Sequence, residues 1–349
     1  MEPVASELSG YPTVFKPETL NRKGLCPVST LEHKQKQETR DTAESVLPSQ
    51  HSLYFEIHGD GEQKVVLIMG LNTNSFAWSP LVEYLTKIKE PDGKDRYSVL
   101  VFDNRGVGNS GTPKGPYSTS GMAADVILLL EYVGWTAPRR QLHIVGASMG
   151  GMIALELASR IASRIASLSL LVTTSGGWSP RNFTPLKGIR GLTRLTFAKT
   201  TEDKVKLLLP ILYPLDWLKE PAEAYGHSEI TNAEFLTQVH IYRINTARRQ
   251  TLVGAFSQMA AALTHYVSPD RLRTIAASIP KVYIMTGDKD NLVRPQNSHH
   301  LKLCMAEAEF EVWEHCGHGV FGQNPKRFGE KMAQVMQEGW DRRETSPSA

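Results

Sequence analysis

The sequence has few cysteines and no long apolar segment. Only Cys26, Cys304 and Cys316 occur among 349 residues, too few for the disulfide framework typical of small secreted domains. No run of 18 apolar residues is present, so no membrane-spanning helix is expected. The first residues lack the basic and apolar regions of a signal peptide. Together these absences predict a cytoplasmic protein.

The chain also lacks a strong excess of either charge. It carries 39 Lys and Arg against 36 Asp and Glu, and no run of basic residues is dense enough to predict nucleic-acid binding. No group of His, Cys and Asp residues has the spacing of a metal site, so neither a metal nor an organic cofactor is expected. The oligomeric state stays open. A length of 349 residues with 41% hydrophobic residues fits a globular chain with one large domain and an insertion, or with two domains.

Segments of strand and helix character alternate along most of the chain. Residues 1–50 are poor in periodic apolar positions and are expected to form a flexible or loosely docked extension. Beyond them, short apolar runs alternate with patterns of helical spacing, which predicts an α/β fold with a mostly parallel, doubly wound sheet. The predicted strands are residues 52–58, 65–69, 97–102, 142–145, 165–172, 281–286 and 309–313.

The alternation stops at an insertion. Residues 179–267 have helical patterns without strands, and they divide a core of residues 51–178 and 268–341. Because the insertion leaves and re-enters at the carboxyl edge of the sheet, it is expected to form a helical cap there. Its aromatic residues are expected mainly in the core of the cap, with substrate contact as the alternative. Residues 342–349 are expected to be a disordered tail.

A glycine-rich turn follows the predicted strand at 142–145. Gly146, Ser148 and Gly150 form a Gly-x-Ser-x-Gly motif between this strand and a helical pattern, the context of a serine nucleophile held on a sharp turn. The small flanking residues leave room for such a turn, and the N–H of Met149 at the helix start can stabilise an oxyanion. A glycine-rich turn without catalytic function is the alternative.

Two later strand ends supply an acid and a base. Asp288 and Asp290 follow the strand at 281–286, and His315 and His318 follow the strand at 309–313. A serine hydroxyl needs a base, and the base needs an orienting carboxylate, so this order along the chain is that of a Ser-Asp-His triad.

These pieces together resemble a known family. The sequence is similar to capped serine hydrolases of the α/β-hydrolase superfamily and, less specifically, to carboxylesterases of the aclacinomycin-methylesterase type. The resemblance spans residues 52–340 and rests on the segments 69–71, 103–110, 146–151, 287–295 and 317–318. Met69 stands where many relatives have a histidine before the glycine, which removes a side chain that often braces the loop.

The resemblance implies a role for each matching residue. Ser148 corresponds to the nucleophile, His318 to the general base and acid, and Asp290 to the orienting carboxylate, with Asp288 as the alternative and His315 as a surface residue. Backbone N–H groups of Leu71 and Met149 correspond to the oxyanion hole.

Three further residues lie close to these motifs. Asp103 and Arg105 are expected to brace the neighbouring loop, and the alternative for Arg105 is contact with an acidic substrate. Cys316 is expected to be a buried, inert thiol.

The expected activity is hydrolysis of a small-molecule carboxylic ester through an acyl-serine intermediate. A serine at position 148 argues against the aspartate-nucleophile epoxide hydrolases and dehalogenases of the same fold. A thioesterase, a lipase or a C–C bond hydrolase using the same triad stays open as an alternative. A ligand-binding homologue without catalysis is the alternative from another functional class.

Overall fold

A central sheet of eight strands organises the molecule. The computed structural model describes residues 11–28, 51–178, 182, 185–196 and 198–344. The strands are β1 (Leu20–Cys26), β2 (Leu53–His58), β3 (Gln63–Ile68), β4 (Tyr97–Phe102), β5 (Leu142–Ala147), β6 (Ile165–Leu171), β7 (Pro221–Ala222), β8 (His227–Thr231), β9 (Lys281–Gly287) and β10 (Glu309–Trp313). The sheet order is β1-β2-β4-β3-β5-β6-β9-β10. Within this eight-stranded sheet only the β1–β2 and β2–β4 pairs are antiparallel, so the predicted mostly parallel, doubly wound sheet is confirmed.

Helices cover both faces of this sheet, and others form the insertion. The α-helices of the described residues are α1 (Ser79–Thr86), α2 (Thr119–Tyr132), α3 (Met149–Ile161), α4 (Leu186–Thr196), α5 (Thr201–Leu212), α6 (Leu215–Lys219), α7 (Asn232–Thr246), α8 (Leu252–Leu263), α9 (Pro269–Ser278), α10 (Pro295–Cys304), α11 (Val320–Gln323) and α12 (Pro325–Arg342). Helices α2, α3, α9 and α10 pack on one face, and α1 and α12 on the other. Strand β3 serves both layers, since Val66 and Ile68 join the first and Val65 and Leu67 the second.

The N-terminal segment differs from the sequence prediction. Residues 20–26 form β1, which pairs antiparallel with β2 at the edge of the main sheet. Phe15, Cys26 and Val28 are buried against the core. The prediction of a flexible extension is therefore wrong for residues 11–28. Strand β1 has no alternating apolar pattern, so its local sequence does not indicate a strand. It is stabilised by pairing with the free edge of β2, a contact that local sequence does not reveal.

The insertion begins and ends at one point of the sheet edge. Gly176, just after β6, forms a β-bridge with Tyr266, and the N–H of Val267 donates to the carbonyl of Ser175 at 2.8 Å. Helices α4 to α8 lie between these points, together with the short antiparallel ribbon β7–β8. The prediction of an insertion without strands is thus wrong at the ribbon, whose chain reversal uses the left-handed backbone of Gly226.

The insertion has an apolar core of its own. Val205, Leu209, Tyr213, Leu218 and Leu236 are buried there together. Trp217 and Tyr225 pack against this cluster, and the ring of Trp217 lies 5.2 Å from that of Tyr213. These aromatic side chains therefore hold the helices of the insertion together.

Two helix starts carry the pattern of a possible capping residue followed by proline, Ser79-Pro80 and Asn324-Pro325. Asn324 caps α12, since its side chain accepts the N–H of Arg327 at 3.1 Å. Ser79 is instead the first residue of α1, and its hydroxyl accepts a hydrogen bond from Arg243 of the insertion at 3.1 Å. Residues 345–349, most of the expected tail, lie outside the described residues. Within the described part of the chain, no helix combines the length and apolarity needed to cross a membrane.

Candidate active site

Ser148 lies on a strained turn between β5 and α3. Its φ of 56° and ψ of −122° lie in a region that non-glycine residues rarely occupy. A Cβ atom on Gly146 would approach the Gly150 carbonyl oxygen to 2.4 Å, and one on Gly150 would approach that of Ile68 to 2.0 Å. Only glycine fits at either position. The turn projects a half-buried Ser148 from the carboxyl edge of the sheet.

Two backbone contacts hold this turn in place. The N–H of Ser148 donates to the Leu171 carbonyl at 2.9 Å, and the Thr173 hydroxyl donates to the Ser148 carbonyl at 2.7 Å. Met149 is the first residue of α3, and N–H groups in the first turn of a helix have no acceptor within the helix. Its N–H can therefore serve an oxyanion at Ser148.

The loop after β3 approaches the same serine. A Cβ atom on Gly70 would lie 3.0 Å from the Ser148 Cβ, so this loop and the turn are in close contact. Leu71, the second predicted oxyanion donor, follows Gly70 directly and is half-buried. The structure therefore places the loop that carries Leu71 beside Ser148.

Side chains from elsewhere brace this loop. The Asn104 side chain donates to the Met69 carbonyl at 2.9 Å. Gln258 of α8 accepts the N–H of Asn72 at 2.8 Å and donates to the Arg105 carbonyl at 2.8 Å. These contacts take the place of the histidine that the sequence lacks at position 69. Gln258 was not predicted from the sequence, because its partners Asn72 and Arg105 lie more than 150 residues away along the chain.

Asp290 and His318 form a hydrogen-bonded pair. The Nδ1 of His318 lies 2.7 Å from the Oδ2 of Asp290. The other oxygen of Asp290 accepts the N–H groups of Leu292 at 2.7 Å and Val293 at 2.9 Å. The Asp290 side chain is fully buried, so its charge is met by fixed donors. With a proton on Nδ1, the lone pair of His318 lies on Nε2, where a base must have it.

The alternative acid and base have other contacts. One Asp288 oxygen accepts the N–H of Cys316 at 3.1 Å, and the other lies 3.3 Å from the Lys289 ammonium. His315 is exposed, and its carbonyl accepts the Gln323 amide at 3.1 Å. Gln323 also accepts the N–H of Gly317 at 2.7 Å. Asp288 and Gln323 thus shape the loop that carries His318, and the sequence analysis missed Gln323.

Cys316 lies two residues before His318 and is buried. Burial raises the pKa of its thiol to about 11, so the thiol is protonated and unreactive near neutral pH. This agrees with the expected inert thiol. Within the described residues, no group of three or more His, Cys, Asp and Glu side chains could hold a metal ion.

Asp103 braces the neighbouring loop, as expected. It is fully buried, and its carboxylate accepts the N–H and hydroxyl of Ser75 at 2.7 and 2.8 Å and the N–H of Asn109 at 2.7 Å. Burial nevertheless raises the pKa of this carboxyl. Arg105 makes a bidentate ion pair with Asp125, with N–O distances of 2.6 and 2.5 Å. This pairing satisfies the guanidinium and supports a structural role for Arg105.

The insertion contacts the loops on two sides of Ser148. The Leu212 carbonyl accepts the N–H of Gly319, next to His318, at 2.9 Å. A Cβ atom on Gly319 would lie 2.4 Å from the Tyr213 ring. On the other side, a Cβ atom on Gly254 would lie 2.3 Å from the Gly106 carbonyl oxygen. The insertion therefore packs closely on the loop that carries His318 and on the loop after β4.

A cavity of about 370 Å³ lies between the insertion and the core. Its walls include Trp78, Tyr213, Tyr225, Phe321 and Arg243. The Arg243 guanidinium donates a hydrogen bond to the Ser79 hydroxyl at 3.1 Å. Among the described residues, no carboxylate forms an ion pair with this guanidinium. Burial lowers the pKa of Arg243. The cavity wall also includes Lys16 and Glu83, which pair with each other at 2.7 Å, and it includes none of Ser148, Asp290 and His318. Arg243 therefore lies among mainly aromatic and apolar side chains without a carboxylate partner of its own, an arrangement suited to an anionic ligand group.

Comparisons with known proteins agree with this architecture. A putative carbamate hydrolase, RutD of Azorhizobium caulinodans, is 28% identical over 245 residues, or 68% of this chain and 86% of that protein. The 2-hydroxy-6-oxononadienedioate/2-hydroxy-6-oxononatrienedioate hydrolase of Escherichia coli K12 is 23% identical over 280 residues, or 80% and 88%. The solved structure of a thermophilic esterase from Thermogutta terrifontis has a TM-score of 0.64 at 19% identity, covering 91% of this chain and 99% of that one.

The family comparison covers most of the sequence. The sequence model described as the alpha/beta hydrolase fold matches residues 64–325. This segment includes all of β3 except its first residue, all of β4 to β10, and every residue discussed for the site except Lys16. Because the match extends over well more than half of the chain, this protein belongs to the alpha/beta hydrolase fold family.

Proposed function

We propose that this protein is a serine hydrolase that cleaves a carboxylic ester through an acyl-serine intermediate. Ser148 is the nucleophile, His318 the general base and acid, and Asp290 the orienting carboxylate. The observation that carries the proposal is the 2.7 Å hydrogen bond between Asp290 and His318 at the sheet edge where the strained, half-buried Ser148 lies. Hydrolase names among the relatives support the reaction class, and the ester bond is inferred from the site.

The proposed reaction proceeds in two halves. His318 Nε2 accepts the Ser148 proton as the hydroxyl oxygen attacks the ester carbonyl, and Asp290 stabilises the resulting imidazolium. The N–H groups of Leu71 and Met149 hold the oxyanion. The tetrahedral intermediate then collapses to the acyl-serine and expels the alcohol, which takes the proton from His318. Water then attacks the acyl-serine with His318 again as base, and the carboxylic acid leaves with Ser148 restored.

Residues 179–267 form the proposed cap over this site. Supporting contacts run from Leu212 and Tyr213 to the loop that carries His318, and from Gln258 to the loop that carries Leu71. Because these contacts leave the triad side chains untouched, the cap selects substrates while the core performs the chemistry.

One observation favours a second candidate, a substrate that carries a carboxylate. Arg243 supplies the cavity wall with a cation that no described carboxylate neutralises. The Escherichia coli relative is named as a hydrolase of dioates. On this reading the triad cleaves an acid-bearing ester or a C–C bond next to a carbonyl, and Arg243 holds the acid group.

A combined labelling and hydrolysis experiment tests the proposal. A fluorophosphonate probe is expected to label the protein at Ser148, and p-nitrophenyl esters from acetate to palmitate are expected to be hydrolysed with a preference for one acyl length. Peptide mapping identifies the labelled residue. Absence of both labelling and turnover would instead favour the non-catalytic ligand-binding homologue.

Two aromatic residues of the insertion are expected to differ in their effects. Tyr225 lines the cavity and its hydroxyl donates to the Gly322 carbonyl, so Tyr225→Ala should change KM and acyl-length preference. The rate with p-nitrophenyl acetate should change only about two- to threefold, because the triad is intact. KM across the ester series measures this.

Trp217 provides the matched control, since it packs on Tyr213 and is absent from the cavity lining. Trp217→Ala should lower Tm by roughly 2–4 °C for each kcal/mol of lost packing and keep the acyl-length profile. Unchanged profiles in both variants would contradict a cap that selects substrates.

Arg243 is expected to distinguish charged from neutral esters. With p-nitrophenyl hemiglutarate, Arg243→Met should raise KM about 10- to 100-fold, the range for a lost charge-assisted hydrogen bond of about 1.5–3 kcal/mol. With neutral p-nitrophenyl valerate, which has the same chain length, KM should change little. Equal changes for both esters would remove the argument for an acid-bearing substrate.

A further inference from the structure

Helix α8 has its polar and apolar faces reversed relative to an ordinary surface helix. Its buried side chains are small or polar: Gly254, Ser257, Gln258 and Ala261. Its exposed side chains include large apolar ones: Leu252, Val253, Phe256 and Leu263. Leu252 is 68% exposed, Phe256 56% and Leu263 80%. A helix that only covered the core would turn these side chains inward.

The contacts of the buried face explain this orientation. Gly254 lies against the Gly106 carbonyl at a distance that only glycine permits, and Gln258 bonds to Asn72 and to the Arg105 carbonyl. These contacts lock the helix on the loops beside the proposed oxyanion hole. The apolar face therefore points away from the described residues, and its burial requires a surface outside the fold.

Aromatic side chains extend this face at the end of α8. Tyr266 is 56% exposed, and its ring would contact a Cβ atom on Gly177 at 2.8 Å. Trp178, the next residue, is completely exposed. We call this surface the α8 patch, formed by Leu252, Val253, Phe256, Leu263, Tyr266 and Trp178. Amphipathic Trp and Tyr side chains favour the boundary between water and lipid.

Basic residues predominate in the two chain segments that carry the α8 patch, and the acidic residues Glu202 and Asp270 directly follow these segments. Residues 235–269 contain Arg243, Arg248 and Arg249 and no Asp or Glu, and residues 174–201 contain five Lys and Arg and no Asp or Glu. Arg248 and Arg249 are exposed just before α8. Exposed basic residues beside an apolar helix face complement anionic lipid headgroups. A second copy of the chain would instead bring like charges together.

We propose that the α8 patch docks this protein onto an anionic lipid surface. The apolar side chains enter the boundary between headgroups and acyl chains, while Arg248 and Arg249 contact the phosphates. Binding itself does not depend on the proposed hydrolytic reaction.

Vesicle co-sedimentation of the full chain tests the α8 patch. We expect binding to mixed phosphatidylcholine–phosphatidylglycerol vesicles and weaker binding to phosphatidylcholine alone. The double variant Leu252→Ser/Phe256→Ser should lower the partition coefficient at least about tenfold, because two large apolar side chains lose their burial. Leu303→Ser is the matched control, since Leu303 is 79% exposed on α10, and it should bind like wild type.

A second pair of variants tests the charges. Arg248→Gln/Arg249→Gln should weaken binding to the mixed vesicles by roughly fivefold for each arginine and have little effect on pure phosphatidylcholine. Lys326→Gln, at an exposed lysine of α12, is the control and should have no effect. Ser148→Ala should bind as wild type whether or not the enzyme proposal holds, which separates the two.

Three results would overturn the docking proposal. The first is no binding to either vesicle, and the second is equal loss of binding in the α8 double variant and Leu303→Ser. The third is a concentration-dependent dimer, seen by sedimentation velocity, that the α8 double variant abolishes without any lipid. Circular dichroism of each variant shows that the fold is retained.

Discussion

Ser148→Ala is expected to abolish ester hydrolysis and leave the fold intact. The substitution removes only the hydroxyl oxygen, on a turn already set by Gly146, Gly150 and the hydrogen bond to Leu171. In a comparable triad, loss of the nucleophile lowers kcat on the order of 10⁶-fold. The measurement is kcat with the best p-nitrophenyl ester, together with labelling by the fluorophosphonate probe.

Ser159→Ala is the matched control, because Ser159 is an exposed serine on α3. It should keep wild-type kcat and labelling. His318→Ala should be as severe as Ser148→Ala, and the double variant should be no worse, since the members of a triad act as a unit. If purified Ser148→Ala keeps wild-type activity, the proposed mechanism is wrong.

Asp290→Asn should lower kcat on the order of 10⁴-fold, as for the corresponding change in a comparable triad. The Oδ1 of Asp290 accepts two backbone N–H groups, so in the variant the amide oxygen takes that position and the amide nitrogen faces His318. An NH₂ group there favours the tautomer with the proton on Nε2, which cannot accept the Ser148 proton. Steady-state kcat and kcat/KM measure the effect.

Asp288→Asn is the control in the same loop. Asp288 accepts the Cys316 N–H and lies near Lys289, so its loss should reduce kcat only modestly and lower Tm slightly. Equal small effects of the two substitutions would mean that neither Asp290 nor Asp288 is the carboxylate on which His318 depends during catalysis. A larger effect at Asp288 would reverse the assignment.

Much of the fold follows from local sequence. Strand β3 is apolar at successive positions because both faces of a parallel strand are buried, so pattern alone located it. The start of α12 is marked in the local sequence by Asn324 and Pro325, because capping is an interaction between neighbouring residues. Strand β1 escaped prediction because its stability comes from pairing with β2, and β7–β8 escaped because only a few residues pair.

The site likewise has some features that depend on neighbouring residues and others that depend on distant ones. A nucleophile turn needs small residues beside the serine, and the residues next to Ser148 in the sequence meet this steric requirement. Asp290 was favoured by position, and the structure pairs it with His318, while its catalytic role stays a prediction. The bracing of Met69 and Asn72 by Asn104 and Gln258 joins residues far apart in sequence.

The sequence by itself therefore determined the strands of the sheet apart from β1, the turn at Ser148 and the succession of serine, aspartate and histidine, because each depends on neighbouring residues or on chain order. Tertiary structure alone decided which carboxylate meets His318, which side chains brace the loop of Leu71, and which face of α8 is exposed. These outcomes depend on packing between distant segments. Gln258 has no local reason to lie inward, and it does so because Asn72 and Arg105 lie there.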